Sequence, residues 1–248
     1  MANQFDERTT TQGFDPAASA SVPRAKRDAG LRSYMLKVYN YMASGVLLSG
    51  MIALGFAESG MAAQVFMGGG ILPWIIILSP LAIVFAMSFG QNKMSTGTLG
   101  ILYWSFAALM GLSLSTIFLV YTGMSIAQTF FAVTAAFAGL SLWGYTTKKD
   151  LSGWGTFLIM GVVGLIVAML LNAFVFQSGA MGMAISAIGI LIFAGLTAYD
   201  TQKIKSIYHY VARDADMLQR AVIMGALSLY LDFINMFQFL LSFMGGRE

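Results

Sequence analysis

The chain has 248 residues, is 58% hydrophobic and only 10% charged, and carries a net charge of +3 at a mean hydropathy of +0.74. Soluble domains hold about a quarter charged residues, and the apolar surface left over here would aggregate in water, so a polytopic membrane protein is expected. The absence of cysteine and the single histidine, His209, exclude disulfides, thiolate nucleophiles, zinc–thiolate sites and centres built from several imidazoles.

Residues 1–33 are polar, rich in Thr, Ala and Ser, and without periodicity. They are expected to form a disordered tail, leaving 34–248 as a seven-helix membrane domain. The first apolar run starts too late for a signal peptide and continues as a full span. Segments near the roughly twenty residues that a helix needs to cross a bilayer are predicted at 35–57, 71–90, 98–122, 125–146, 153–176, 181–202 and 221–244. Their connections are short, except 203–220, which is expected to be loop, including "DADMLQR" at 214–220. No room remains for a soluble domain, so function is expected inside the bundle.

Many of the 27 glycines fall within spans, as in "GVVG" and "MGLSLS", where small residues let helices approach closely. The 18 methionines are expected to fill the core. Trp74, Trp143, Tyr145 and Trp154 stand at span ends, the depth of the membrane–water interface.

Lysine and arginine alternate from one connection to the next. Arg24, Lys26, Arg27, Arg32 and Lys37 flank the first span, and the second, fourth and sixth connections hold Lys93, Lys148 with Lys149, and Lys203, Lys205, Arg213 and Arg220. The first, third and fifth connections hold none. By the positive-inside rule the N-terminus and the 203–220 link are cytoplasmic. The basic excess is thus an orientation signal, and nucleic acid is not an expected partner. The tail "GGRE" is outside if the last segment crosses and inside if it dips and returns; the sequence leaves both open.

Two acids stand out. Asp200 closes the sixth span and Asp232 is the one charged side chain of the seventh. A charge in hydrocarbon costs about 2.5–3.5 kcal/mol at a helix centre on insertion scales, so it normally faces the protein interior. Ser228, Asp232, Asn235 and Ser242 share one face of the last helix, and Ser186, Thr197 and Asp200 share one face of the helix before it. Turning both stripes toward each other brings the acids together, with Ser228, Asn235 and Thr197 as candidate polar support. Two carboxylates close together in a poor dielectric share a proton and titrate as a unit. Fully ionised they offer hard oxygen ligands for Ca²⁺, but fall short of the six to eight oxygens it takes, so binding would be weak and transient. Asp200 alone has a plainer reading, as a headgroup-level acid one turn before Lys203.

"AYDTQKIK" at the end of one span and "LSLYLDFINMF" in the next together resemble the Bax inhibitor-1 family, over about 34–246. The resemblance implies six helices around a central C-terminal seventh, and a pH-sensitive calcium leak gated by a di-aspartate pair matching Asp200 and Asp232. It also implies partners such as a membrane-bound protease, or a role in stress and cell-death responses. The chain departs from the family pattern in its longer link between the acids and in "PWIIILSPLAIVFAMSFG", which lacks the cation that some members carry in the second span. Short loops and the lack of sorting signals point to a bacterial inner (plasma) membrane.

Other chemistries fit less of the pattern. Intramembrane aspartyl proteases also carry "YD", but their second acid lies in a Gly-x-Gly-Asp run and a Pro-Ala-Leu motif follows; here the second is "SLYLDF" and no proline follows Pro80. No enzyme, catalytic residue or cofactor is therefore expected. A proton-coupled transporter would use the same protonatable acids, although no repeat between halves is visible. Binding of another membrane protein through small-residue faces would leave no mark in the sequence and stays open.

Overall fold

The computed structural model describes residues 24–246, with side chains from residue 28 onward. Among the described residues every regular element is helical: α1 (Arg24–Glu58), the short α2 (Met61–Met67), α3 (Leu72–Gly90), α4 (Thr96–Leu114), α5 (Gly123–Thr146), α6 (Ser152–Leu171), α7 (Gly179–Val211) and α8 (Ala215–Met244). A 3₁₀ turn, Ser115–Leu119, prolongs α4, and a π turn, Asn172–Phe176, prolongs α6. Seven of these helices are long and apolar enough to cross a membrane.

Side-chain caps explain how such short connections start new helices. Ser95 Oγ accepts from the Thr98 N–H at 3.1 Å, Thr122 Oγ1 from the Ser125 N–H at 3.2 Å, and Asp214 Oδ1 from the N–H groups of Asp216 and Met217 at 2.9 and 3.0 Å. Each satisfies orphan donors at a helix start.

Two boundaries differ from the sequence reading. Residues 24–33, expected as part of a disordered tail, are helical and belong to α1; residues 1–23 lie outside the described residues. The link expected as loop over 203–220 is mostly helix, since α7 continues to Val211 and α8 begins at Ala215. "DADMLQR" is accordingly the cap and first turns of α8. The two extensions support each other: the Tyr34 and Tyr208 rings lie 5.4 Å apart, and Gly30 leaves room for the Tyr208 hydroxyl. Tertiary packing keeps these polar segments helical where hydropathy alone places an end.

The last helix holds the bundle together. α8 packs against α1, α4, α5 and α7, while α3 rests chiefly on α4 and α6 on α7. Of its apolar window 72% is buried, against at most 33% for any other span. It is also one unbroken helix running from end to end: Arg220 Nη1 donates to the Gln91 carbonyl at 3.1 Å in the α3–α4 turn, and the Gly246 N–H donates to Ser125 Oγ at 2.9 Å beside the start of α5. The dipping alternative for the final segment is thereby removed. Its buried face includes Leu229, Tyr230, Phe233, Ile234 and Phe237, and Phe233 makes edge contacts with Phe130 and Phe137 of α5 at 5.7 and 5.6 Å.

α1 and α4 cross closely. A Cβ on Gly111 would sit 2.7 Å from the Ser49 carbonyl oxygen and 3.0 Å from its Cα. Those are backbone atoms with nowhere to turn aside. Gly111→Ala is therefore expected to destabilise the fold by about 1–3 kcal/mol, the usual cost of overpacking, read as a lower Tm in detergent; an unchanged Tm would show that the crossing is loose.

Candidate functional site

α7 and α8 run antiparallel, joined by residues 212–214. Their polar stripes do face each other. At the end remote from the lysine-bearing connections, Ser186 Oγ donates to Ser242 Oγ at 3.2 Å. Toward the basic end, Asp200 and Asp232 lie close enough for their charges to repel.

The two acids differ in surroundings. Asp200 is half-buried and lines a cavity of about 680 Å³ at the basic end, with Lys203, Asp214, Asp216, Arg220 and Ser228 also in its wall. Asp232 sits one turn beyond Ser228, is only 4% exposed, and its Oδ2 has no hydrogen-bond partner among the described residues. The expected polar support does not reach that oxygen. Thr197 Oγ1 donates to the Phe193 carbonyl at 2.8 Å, Asn235 Nδ2 donates to the Leu231 carbonyl at 2.7 Å, and Ser228 faces the cavity. Side chains of this kind often bond back to their own helix one turn earlier, which spacing along the chain does not reveal.

Cations do stand near the acids, supplied by α7 and α8 rather than by the second span. Lys203 acts on Asp200 through its charge. Arg220 Nε donates to Asp216 Oδ2 at 2.6 Å, and Asp216 also accepts from Thr96 Oγ1. Arg220 thus fixes the start of α8 against the α3–α4 turn, leaving Asp200 as the acid at the inner wall of the cavity. These positions carry no sequence signal beyond being charged residues near a span end.

A second polar cavity of about 650 Å³ opens at the other end, lined by Asn172, Gln177, Ser178 and Ser242 among others. Between the two, the Phe193 and Phe239 rings stack at 5.8 Å. Phe239 is seated on Gly189, where a Cβ would come within 2.7 Å of the ring. At about 1.5 Å per residue, Asp232 and Ser242 are about 15 Å apart along α8, and this aromatic layer fills the interval. Among the described residues no three Asp, Glu or His side chains gather as a metal site.

Behind Asp232 the helix is anchored by a buried hydroxyl chain that the sequence did not single out. Ser49 Oγ lies 2.6 Å from the Ala107 carbonyl and 2.6 Å from the Tyr230 hydroxyl. With its one proton given to the carbonyl, Ser49 accepts from Tyr230. Three helices, α1, α4 and α8, therefore meet at one point two residues before the acid.

The family model described as inhibitor of apoptosis-promoting Bax1 matches residues 31–248. A protein of Caulobacter vibrioides is 45% identical over 95% of this chain and 98% of its own length. A Rickettsia prowazekii protein is 46% identical over 89% and 92%. The inner membrane protein YbhL of Escherichia coli K12 is 43% identical over 89% and 94%.

Because the chain has no cysteine, introduced thiols report on these two environments cleanly. Asp200→Cys should react with a membrane-impermeant thiol reagent, and Asp232→Cys should react at least about tenfold more slowly, in line with an exposed against a buried thiol. Equal labelling rates would show that the cavity extends to Asp232.

Proposed function

The chain belongs to the Bax inhibitor-1 family, and on that premise we propose that it is a pH-sensitive leak pathway for Ca²⁺, controlled by a proton shared between Asp200 and Asp232. The observation that carries this reading is the placement of the acids. One lines the cavity at the basic end; the other is buried behind it with an unpartnered oxygen, within electrostatic reach of the first.

A pair of carboxylates in this position has two distinct charge states that matter for a cation. With a proton between them, the pair presents little net attraction and α8 can lie tightly on α7. With both ionised, mutual repulsion across the seam opposes that packing, while the same charge attracts a divalent ion. Proton binding thus biases the seam and the ion affinity together. Calcium passes as cargo rather than as a resident ligand, because two carboxylates supply too few oxygens to retain it. Transport of this kind requires no catalytic residue and no cofactor.

The basic connections support a cytoplasmic side for the N-terminus and the Asp200 cavity. The name of the YbhL relative supports the inner membrane as the location. A Ca²⁺ ion would then enter or leave through the cavity at Asp200, and the polar cavity at Ser242 would serve the opposite face. The Phe193–Phe239 layer between them is the barrier that movement of α7 against α8 must open.

Purified protein in Ca²⁺-dye-loaded liposomes provides the test. Wild-type flux is expected to change at least about fivefold across mildly acid to neutral pH, the range in which a shared proton is lost. Asp232→Asn, with one acid left and no partner to share with, should flatten that dependence. Wild-type-like pH dependence in Asp232→Asn removes the gating role. Flux that is driven uphill by an imposed proton gradient would identify a coupled carrier instead.

A further inference from the structure

A second polar pocket at the basic end shares only Lys203 with the cavity of the leak reading. Lys148 and Lys149, in the α5–α6 connection, and Lys203 of α7 line one cavity of about 320 Å³, with Asp150 as its one acid. Among the described residues the only ion pair joins Arg220 to Asp216, so none of the three ammonium groups here is in direct contact with a carboxylate, although Lys203 also feels the charge of Asp200. Asp150 offsets only one of the three charges, and its Oδ1 is engaged by the Ser152 N–H at 2.9 Å at the start of α6. That backbone bond, and then the Ser152 hydroxyl, hold its carboxyl below the usual range.

The pocket is preformed. Gln202 Nε2 donates to the Lys149 carbonyl at 2.9 Å, and Gln202 Oε1 accepts from the Leu151 N–H at 2.8 Å. One side chain of α7 therefore clamps the connection from both directions, which holds Lys148 and Lys149 beside Lys203. Like charges would otherwise drift apart into water.

The location says which anion the pocket meets. It joins the ends of two membrane-crossing helices, so it lies at headgroup depth. Trp143 near the end of α5 and Trp154 near the start of α6 are 48% and 59% exposed, as aromatics are at an interface. Below it, α6 shows lipid an outward apolar face that includes Phe157 and Met160. We propose that this pocket binds the phosphate of an anionic phospholipid, with Lys148, Lys149 and Lys203 on the headgroup and the acyl chains along α6.

The test uses the full chain in bilayers, in a Trp74→Phe/Trp104→Phe background so that emission comes from Trp143 and Trp154. Brominated phosphatidylglycerol should quench more than brominated phosphatidylcholine at equal mole fraction. The preference should fall about fivefold for each of the three lysines changed to Gln, from about 1 kcal/mol per basic residue at a membrane surface. Lys93→Gln/Arg213→Gln, which removes charge elsewhere at the same end, should leave it unchanged. Persistence of the preference in the triple variant, with its Tm retained, overturns the site, as does an equal loss in the control. Relief of quenching by millimolar inorganic phosphate would assign the pocket to a soluble anion and overturn the lipid. No ion flux is measured, so this outcome is independent of the leak reading.

Discussion

A carboxylate can lie at bilayer depth only if protein, rather than lipid, surrounds it. The architecture follows from that constraint. α8 carries Asp232 and is the most enclosed of the spans, covered by α1, α4, α5 and α7. The closest approach of α1 to α4 at Gly111 and the Ser49–Tyr230 contact bring two of those four neighbours in around α8. Helices farther out, α3 and α6, need no polar partner and turn mostly apolar side chains outward.

The number of spans and the alternation of charged and uncharged connections were legible because hydropathy over twenty residues measures what a bilayer measures. So was the pairing of the stripes, since Ser186, Asp200, Asp232 and Ser242 follow helical spacing and two antiparallel neighbours can bury such stripes only against each other. The ends of helices were not legible. Hydropathy reports where a segment leaves the apolar layer, whereas helicity at 24–33 and 203–211 is upheld by contacts between α1 and α7, as at Tyr34 and Tyr208. Nor could spacing show that Thr197 and Asn235 spend their hydrogen bonds on their own helices, or that Gln202 ties a distant connection to α7. Those depend on rotamers and on which residues meet across the fold.

The site has a polar chamber at each end and an aromatic layer between. Asp200 belongs to one chamber, Ser242 to the other, and Asp232 to neither; it lies between Asp200 and the stacked rings of Phe193 and Phe239. A buried acid in such a place has solvent on one side, reached through its neighbour, and on the other the packing that closes the seam. The absence of a cation from the second span is offset in space by Lys203 and Arg220, which approach the same chamber from α7 and α8.

The continuity of α7 has a mechanical implication. Its 33 residues make a rod about 50 Å long, well beyond the roughly 30 Å of a hydrocarbon layer, and α8 follows after a turn too short to absorb rotation. A few degrees of tilt about the middle of such a rod displaces its ends several times farther than the residues near the fulcrum. Because the tip around Tyr208 is packed on Tyr34 of α1, such a tilt would carry the start of α1 along with it.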